Sequence, residues 1–218
     1  MVDTKQRILD TAERLFAEQG YDATSLRHII AEAGVNLAAV HYHFGGKDEV
    51  LAQVVLRKVG PVNEARLARL DEAERDFGGK PPVEAILRAF LMPTAEAADK
   101  SPEFVKLMGR VVAEGLIENL ALTHFQPMTD RFIGALARSL PELSRNELGW
   151  RIYFMFGAMS RALHGIPQTW LTGEAGDVRE RLERLVVFLS GGFRAAASAP
   201  AAGETAAQTQ TANHKVHR

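Results

Sequence analysis

A single glycine between two short amphipathic segments is the sequence feature that most constrains how this chain can fold. The segment SLRHIIAEAG, residues 25–34, places its apolar side chains on one face of a helix that ends at Gly34. Asn36 is a suitable N-cap for a second short helix over residues 37–44. Two helices joined by so tight a turn, here residues 33–36, predict a helix-turn-helix.

Helical spacing of apolar residues continues through nearly all of the remaining chain. One amphipathic helix precedes the two short helices, and a long helix follows from Lys47 with a kink expected at Gly60-Pro61. Strand-like alternation is absent, so the predicted fold class is all-α. Further helices are predicted over about residues 83–98, 102–120, 122–139, 145–164 and 177–194.

These helices predict two domains and a tail. Residues 1–47 form an N-terminal three-helix helix-turn-helix domain, and residues 48–195 form a C-terminal helical bundle. The tail, residues 196–218, is rich in Ala, Thr and Gln and has few large apolar residues. It cannot bury enough surface to fold, and we expect it to be disordered.

The composition excludes several kinds of site. The chain of 218 residues has no cysteine, which excludes disulfides, thiolate metal sites and a cysteine nucleophile. No apolar run approaches the roughly 20 residues needed to span a bilayer, and the charged N-terminus carries no apolar signal core. We therefore expect a cytoplasmic protein without a membrane partner. The formal net charge of −1 means that a nucleic-acid partner must be argued from local features.

The short helix over residues 37–44 has an inward and an outward face. Val40 and Phe44 face inward, toward the other two helices. The outward face has small side chains at its N-terminal end and no acidic residue, so it can lie deep in the major groove of DNA. Base edges can be approached by Ala38 and Ala39, and phosphate oxygens by Tyr42, His43 and Lys47.

The stretch RILDTAERLFAEQGYDATSLRHIIAEAGVNLAAVHYHFGGKDEVL has LF, G, T, GV, YHF and K at a characteristic spacing. Over residues 5–55 the chain resembles the DNA-binding domain of the TetR family of bacterial transcriptional regulators. The resemblance implies that bases or the nearby backbone are faced by Arg27, Leu37, Ala38, Ala39 and His41. It implies phosphate contacts for Ser25, Tyr42, His43 and Lys47.

Two positions depart from the family pattern. Leu37 is often polar in the family, and an apolar side chain there either touches a thymine methyl group or packs. Gly46 is often a Ser or Asn cap, and glycine weakens the start of the long helix by only a few tenths of a kcal/mol. Residues 1–47 hold five Lys/Arg and six Asp/Glu, which predicts a modest salt dependence of DNA binding.

The last two helices are candidates for a homodimer interface. Helix-turn-helix repressors usually bind pseudo-palindromes as dimers, because a single DNA-binding domain makes too few contacts with DNA. A four-helix bundle made from two such helix pairs is the arrangement that the resemblance implies. The alternative is that the same side chains form the core of one chain. The predicted interface residues are Trp150, Gly157, Arg161, Leu182, Leu185, Val186, Leu189 and Phe193.

The segments FVKLMGRVVAEGL and HFQPMTDRFIGAL are rich in Met, Phe and Leu, which suits an adaptable apolar pocket. Ordinary core is again the alternative. Lys106 and Arg110 either meet an anionic head group or remain solvated. The predicted pocket residues are Phe104, Leu107, Met108, Val111, Phe125, Met128, Phe132 and Phe154.

The stretches LRKVGP, FVKLMGR and WRIYFMFGAMSRALHGI are similar to the fatty-acid-responsive branch of the TetR family. That similarity favours a fatty acid or acyl-CoA as the small-molecule effector, with an aromatic or drug-like compound as the alternative. The predicted protein is then a ligand-responsive homodimeric repressor of a palindromic double-stranded DNA operator. The effector would release DNA by shifting the fourth helix, taken to be the only bridge between the domains.

Two other classes of function can be compared with the sequence. An enzyme is not expected, because the sequence offers no nucleophile elbow, P-loop or metal-ligand spacing. His41 and His43 do not face each other on a helix, so neither a metal site nor a cofactor is predicted. The remaining alternative is a helical partner-binding module without operator specificity.

Overall fold

The computed structural model describes residues 3–116, 124–164, 173 and 176–197. The described residues form helices and no strand, which confirms the predicted all-α class. From residue 198 onward, the predicted tail lies outside the described residues. None of the described helices is long and apolar enough to cross a membrane. The helices are α1 (Thr4–Gln19), α2 (Leu26–Ala33), α3 (Leu37–Phe44), α4 (Lys47–Asp76), α5 (Val83–Lys100), α6 (Pro102–Ala113), α7 (Gln126–Ser139), α8 (Arg145–His164) and α9 (Val178–Arg194).

The turn between α2 and α3 depends on a glycine and on an arginine from α1. Gly34 has φ 61° and ψ 41°, the left-handed conformation that glycine adopts without strain. The Arg7 guanidinium donates to the carbonyl oxygens of Ala33 and, at 3.2 Å, of Gly34. The predicted helix-turn-helix is therefore present, and Arg7 ties its turn to α1.

Replacing Gly34 by alanine is expected to lower the free energy of unfolding by about 2 kcal/mol. A Cβ atom at this position would lie 2.9 Å from Nη2 of Arg7, so the guanidinium would have to shift and would weaken its hydrogen bonds to the two carbonyl acceptors. Gly45, at φ 74°, has nothing described within 4 Å of its Cβ position beyond its chain neighbours. Gly45→Ala is thus the matched control, and it should cost about 1 kcal/mol. Denaturant titration measures both losses, and equal losses would contradict the role given to Arg7.

Two of the long helices contain an internal proline. α4 begins at Lys47, as predicted, and continues as one helix of 30 residues through Pro61. Pro61 has no N–H for the carbonyl four residues earlier, which weakens that turn without ending the helix. α5 likewise runs through Pro93, whose side chain is buried. Packing of both helices against neighbours offsets the lost hydrogen bonds.

α6 and α7 have boundaries that differ from the prediction. α6 ends at Ala113 rather than near residue 120, because Gly115 adopts φ 69°. The N–H of Leu116 then donates to the carbonyl of Val111 at 2.9 Å and closes the helix end. α7 starts with Pro127 in its first turn, where proline is favoured. The predicted helix start at residue 122 lies outside the described residues.

The described residues form two apolar cores. The first core joins α1, α2 and α3 to the first half of α4 and to α6, which contributes Phe104, Leu107 and Val111. The second core joins α5, α7, α8 and α9 to Leu70 near the end of α4. The first core therefore extends well past the predicted domain boundary at residue 47, into two helices of the larger bundle.

A buried arginine fastens α8 to the end of α9. The Nη1 of Arg151 donates to the carbonyl oxygens of Gly192, Phe193 and Ala195 at 3.0, 2.7 and 3.0 Å. Its Nε donates to the Glu147 carboxylate at 3.0 Å, one turn earlier on α8. Arg151 thus satisfies carbonyl groups that the end of a helix leaves without partners.

Candidate nucleic-acid interface

α3 has one buried and one exposed face. Val40 is completely buried and Phe44 nearly so, both in the first core with Ile29. Tyr42 on the opposite side is 86% exposed, and Leu37 at the helix start is 52% exposed. The inward and outward faces are therefore those expected from the sequence. Solvent also reaches Ala38, while the side chain of Ala39 lies outside the described residues.

The rings at the end of α3 are held by local contacts. Nδ1 of His41 donates to the Gly45 carbonyl oxygen at 2.9 Å, since a carbonyl can only accept. This bond leaves Nε2 as the ring nitrogen that can meet another group. The His43 ring packs edge-on against Tyr42, with 5.1 Å between ring centroids. His41 and Tyr42 are exposed and His43 is half-buried, so the three form one polar edge of the helix.

A lysine and a tyrosine meet where α4 begins. The Lys47 ammonium lies 3.8 Å from the centroid of the Tyr21 ring, a cation–π contact. The Tyr21 hydroxyl donates to the Asp48 carboxylate. Burial, and then this hydrogen bond, raise the pKa of the Tyr21 hydroxyl. Lys47 is thus held beside the free N–H groups of a helix start, which is a favourable place for a phosphate.

Ser25 and Arg27 lie at the start of α2. The Ser25 hydroxyl oxygen accepts from the backbone N–H of His28 at 3.1 Å and caps the helix. Its hydroxyl hydrogen remains able to donate to another group. Arg27 is exposed. Both residues are therefore accessible, and Ser25 also caps α2, a role for which the sequence offered Thr24 or Ser25.

The acidic residues of α1 pair with cations away from the outward face of α3. Arg57 of α4 contacts Asp10 at 2.6 Å and Glu13 at 2.5 Å, and Lys58 contacts Glu13 at 2.7 Å. These pairs neutralise two carboxylates on the side of α1 that faces α4. The balanced charge of the N-terminal region therefore does not imply an acidic surface around α3.

α6 forms a second connection between the helix-turn-helix and the larger bundle. The backbone N–H of Tyr21, just after α1, donates at 2.8 Å to the carboxylate of Glu114, just after α6. Phe104 and Leu107 of α6 are buried in the first core. The expectation that α4 alone bridges the two regions is therefore wrong, because α6 packs directly against α1.

The predicted pocket residues are divided between the two cores. Phe104, Leu107, Val111 and Phe125 are buried in the first core, with Met108 partly buried against it; Met128 and Phe132 belong to the second. Phe154 is 60% exposed, so its assignment to a pocket is corrected. Lys106 is exposed, and the side chain of Arg110 lies outside the described residues.

A small apolar cavity lies within the second core. Its volume is about 10 Å³, which is room for roughly one water molecule. A larger effector would require the surrounding helices to separate. Phe132 is in its lining, as is Met155, which the sequence offered as a residue closing the pocket. The lining residues are Ile86, Leu87, Phe90, Thr129, Phe132, Leu136, Ile152 and Met155.

The predicted dimer residues fall on opposite sides of the α8–α9 pair. Trp150 is 54% exposed, and Gly157 and Arg161 are also exposed. Leu182, Val186, Leu189 and Phe193 are buried in the second core of the same chain, with Leu185 packed against it. Their assignment to a dimer interface is therefore corrected, because they already bury their side chains within one chain.

A set of exposed apolar side chains also lies on this helix pair. We call it the α8–α9 face, and it comprises Trp150, Tyr153 and Phe154 of α8 with Val187 and Phe188 of α9. The exposed fractions of Val187 and Phe188 are 71% and 74%. Trp150 and Phe154 stack on each other, with 5.9 Å between ring centroids.

Two sequence families match most of the chain. Residues 8–54 match the bacterial regulatory proteins of the tetR family, and residues 84–192 match the tetracyclin repressor-like C-terminal domain. The second match alone covers half of the chain. The chain belongs to the TetR family. Members of this family are transcriptional regulators and not enzymes, and the sequence-based resemblance is confirmed.

Several TetR-family relatives are similar over parts of the chain. The regulator Mb3439c of Mycobacterium bovis is 30% identical over 172 residues, which are 77% of this chain and 79% of that protein. AcrR of Shigella flexneri is 33% identical over 96 residues, 44% of this chain and 41% of AcrR. The regulator YerO of Bacillus subtilis is matched over only 28% of its length. The chain thus spans less than half of AcrR and YerO.

Solved structures of TetR-family proteins share the fold. The fatty acid degradation regulator FadR of Bacillus halodurans has a TM-score of 0.62 at 16% identity, covering 89% of this chain and 98% of FadR. PfmR of Thermus thermophilus has a TM-score of 0.56 at 23% identity, covering 87% of this chain and 96% of PfmR. At these identities the likeness shows the fold alone.

Sequence reasoning about this TetR-family chain missed two features. Val187 and Phe188 were not assigned, although α9 has apolar residues on two faces, and a second apolar stripe indicates a second contact surface. Arg66 was not singled out either, and it is 5% exposed. Nothing in the local pattern distinguishes it from Arg69, which lies nearer to solvent on the same helix and pairs with Glu96.

Proposed function

We propose that this TetR-family protein is a homodimeric repressor that binds a palindromic operator and leaves it when a small apolar or amphipathic effector binds. The observation that carries the proposal is the outward face of α3, exposed at Tyr42 and Leu37 and anchored beneath by Val40 and Phe44. An exposed helix so rigidly supported, with small side chains at its start, suits entry into the major groove.

The proposed DNA contacts divide into two groups. Residues at the start and centre of α3 approach base edges, together with the exposed Arg27, which can reach guanine. Residues around the ends of the short helices hold phosphates and fix the register. The first group is Arg27, Leu37, Ala38, Ala39 and His41. The second group is Ser25, Tyr42, His43 and Lys47.

The α8–α9 face is the proposed dimer interface. Five large apolar side chains that are each more than half exposed form an unusual surface for a monomer. Two copies packed through this face would form a four-helix bundle and bury these side chains. Gly157 and Arg161 continue the exposed side of α8. The dimer would place its two α3 helices about one DNA turn, ~34 Å, apart.

Two helices carry the proposed switch. An effector that enlarges the cavity of the second core would displace α5, α7 and α8, on which both α4 and α6 pack. α4 leads directly into α3, and α6 is joined to α1 through Glu114 and Tyr21. A shift of either helix would change the distance between the two α3 helices of the dimer. The effector must favour the released state by a few kcal/mol.

The favoured effector is a fatty acid or acyl-CoA. The apolar lining of the cavity supports a ligand with an apolar body, and the FadR neighbour is described as a fatty acid degradation regulator. An aromatic or drug-like compound is the second candidate, because the aromatic rings of Phe90 and Phe132 contribute to the same lining. The competing class, a helical partner-binding module, would lack operator specificity.

Tyr42→Ala is expected to weaken binding to every DNA sequence by about tenfold or more, because a hydrogen bond to a charged phosphate is lost. Tyr42→Phe is the matched control for the ring and should lose nearly as much. Ala38→Leu should instead change which sequence is preferred, since a larger side chain alters the fit to base edges. Gel shifts with the upstream region of the protein's own gene and with scrambled DNA measure all three.

The same gel shifts test the function itself. Sequence-selective, salt-sensitive binding of the wild-type protein is the expected result. Equal binding to both DNAs, or binding to neither, would favour the partner-binding module. Operator affinity unchanged by every ligand that binds the second core would contradict the proposed release.

A further inference from the structure

Arg66 is a buried cation without an acidic partner among the described residues. It lies on α4 and is 5% exposed. The ion pairs of α4 with other described helices involve Arg57, Lys58, Arg69, Asp71 and Glu74, and none includes Arg66. Arginine is almost never fully buried in proteins unless it is paired, so this position calls for a physical explanation.

Within the described part of the chain, only neutral groups contact the Arg66 guanidinium. Its Nε donates to the Phe90 carbonyl oxygen at 2.9 Å. Nη1 donates to the Asn63 side chain and Nη2 to the Thr94 hydroxyl, each at 2.8 Å. Nη2 also lies 3.9 Å from the Met159 sulfur. The guanidinium is thus surrounded by α4, α5 and α8, the helices proposed above to move with the effector.

Burial without a counter-charge is costly for a cation. Removing a guanidinium from water is repaid in part by hydrogen bonds and by the Phe90 ring, whose centroid lies 4.1 Å from Cζ. These neutral contacts do not cancel the charge, and burial lowers the pKa of Arg66 to about 9. A carboxylate arriving here would gain a charge-assisted, bidentate partner of the kind arginine recognises.

Phe90 connects this cation to the apolar cavity. The Arg66 guanidinium lies over one face of the Phe90 ring. The same ring lines the cavity together with Phe132 and Met155. The Phe132 ring packs edge-on against Phe90 at 5.0 Å between centroids. A charged site and an apolar space are therefore separated by one aromatic ring, which is a suitable arrangement for an amphipathic molecule.

We propose that Arg66 is the binding site for the carboxylate of an amphipathic acid whose apolar part occupies an enlarged cavity between α5, α7 and α8. The inference rests on the proposed effector response and specifies the class of effector, a carboxylic acid with an apolar body. The acid would replace Asn63 or Thr94 as a partner of the guanidinium. Because Arg66 is on α4 and lies five residues after Pro61, the bound acid would act directly on the helix that leads to α3.

The test compares decanoate with decan-1-ol, which has the same chain length and no charge. Calorimetric titration of the full chain should show decanoate binding at least tenfold more tightly. Arg66→Met should remove this preference and leave the affinity for decan-1-ol unchanged, while Arg66→Lys should retain part of it. Arg69→Met is the matched control, since Arg69 is on the same helix and already has Glu96 as its partner. It should leave the preference intact.

Each outcome bears on a different claim. Equal wild-type affinity for the two probes, or no binding of either, would overturn the carboxylate site, and this comparison does not depend on a variant that folds. A preference for decanoate that survives Arg66→Met would also overturn it. A preference that depends on Arg66, with operator affinity in gel shifts unaffected by decanoate, would support the site and contradict the proposed release of DNA.

Discussion

Phe188→Glu is expected to convert the proposed dimer into a monomer and to lower affinity for the proposed operator at least about a hundredfold. Phe188 is 74% exposed on the α8–α9 face, next to Val187. In a symmetric dimer each substitution appears twice, so two carboxylates would be buried without partners across one interface. A monomer can occupy only one half-site, and it loses the second, effectively intramolecular, binding event.

Light scattering coupled to size-exclusion chromatography measures the oligomeric state, and a gel shift measures operator affinity. Phe77→Glu is the matched control, because Phe77 is 51% exposed at the end of α4 and is not part of the α8–α9 face. It should leave both quantities unchanged. A monomeric wild-type protein, or a dimer that survives both Phe188→Glu and Phe154→Glu, would show that this face is not the interface.

Arg151→Met is expected to lower the free energy of unfolding by about 3 kcal/mol. The carbonyl groups of Phe193, Ala195 and Ala196 would lose this donor, and Glu147 would lose its partner, whereas the Gly192 carbonyl would keep the Ala195 N–H. Hydrogen bonds to a charged, buried donor are among the stronger ones in proteins, and methionine fills the space without replacing them. In a chain of this size, this loss corresponds to a fall in melting temperature of about 10 °C.

Arg145→Met provides the comparison on the same helix. The Arg145 side chain is 72% exposed and pairs with Asp130 at 2.7 Å, and exposed ion pairs contribute less than about 1 kcal/mol. Calorimetric melting of the two variants should differ by several degrees. Similar melting temperatures would mean that the end of α9 finds other donors, and that Arg151 does not fasten the helix pair.

The fold could be predicted from the sequence wherever local signals agreed. Gly34 and the apolar spacing around it identified α2 and α3, and the start of α4 at Lys47 followed from the Gly45-Gly46 break. The end of α6 was missed because apolar spacing continues past Gly115, whereas its positive φ ends the helix. The spacing of apolar residues over many positions predicts that a helix is present. Where the helix ends depends on the backbone conformation of a single residue.

The candidate site was only partly predictable. The outward face of α3 follows from 100° rotations within one helix, so it needs no knowledge of the rest of the fold. Which face of α9 is buried depends on its neighbours, and a helix that is apolar on two sides does not specify which side packs within the chain. The position of Arg66 depends on contacts with α5 and α8, which are distant in sequence.

Because α6 packs against α1, the helix-turn-helix domain cannot be treated as a separate module. A chimeric regulator made by grafting residues 1–47 onto another helical bundle would cut through the first core and leave Ile8, Phe16 and Val40 without Val55, Leu107 and Val111. Operator recognition could be transplanted only with the first half of α4 and a compatible α6. The DNA sequence preference of such proteins should therefore change more readily by substitutions on the outer face of α3 than by recombination after the end of α3.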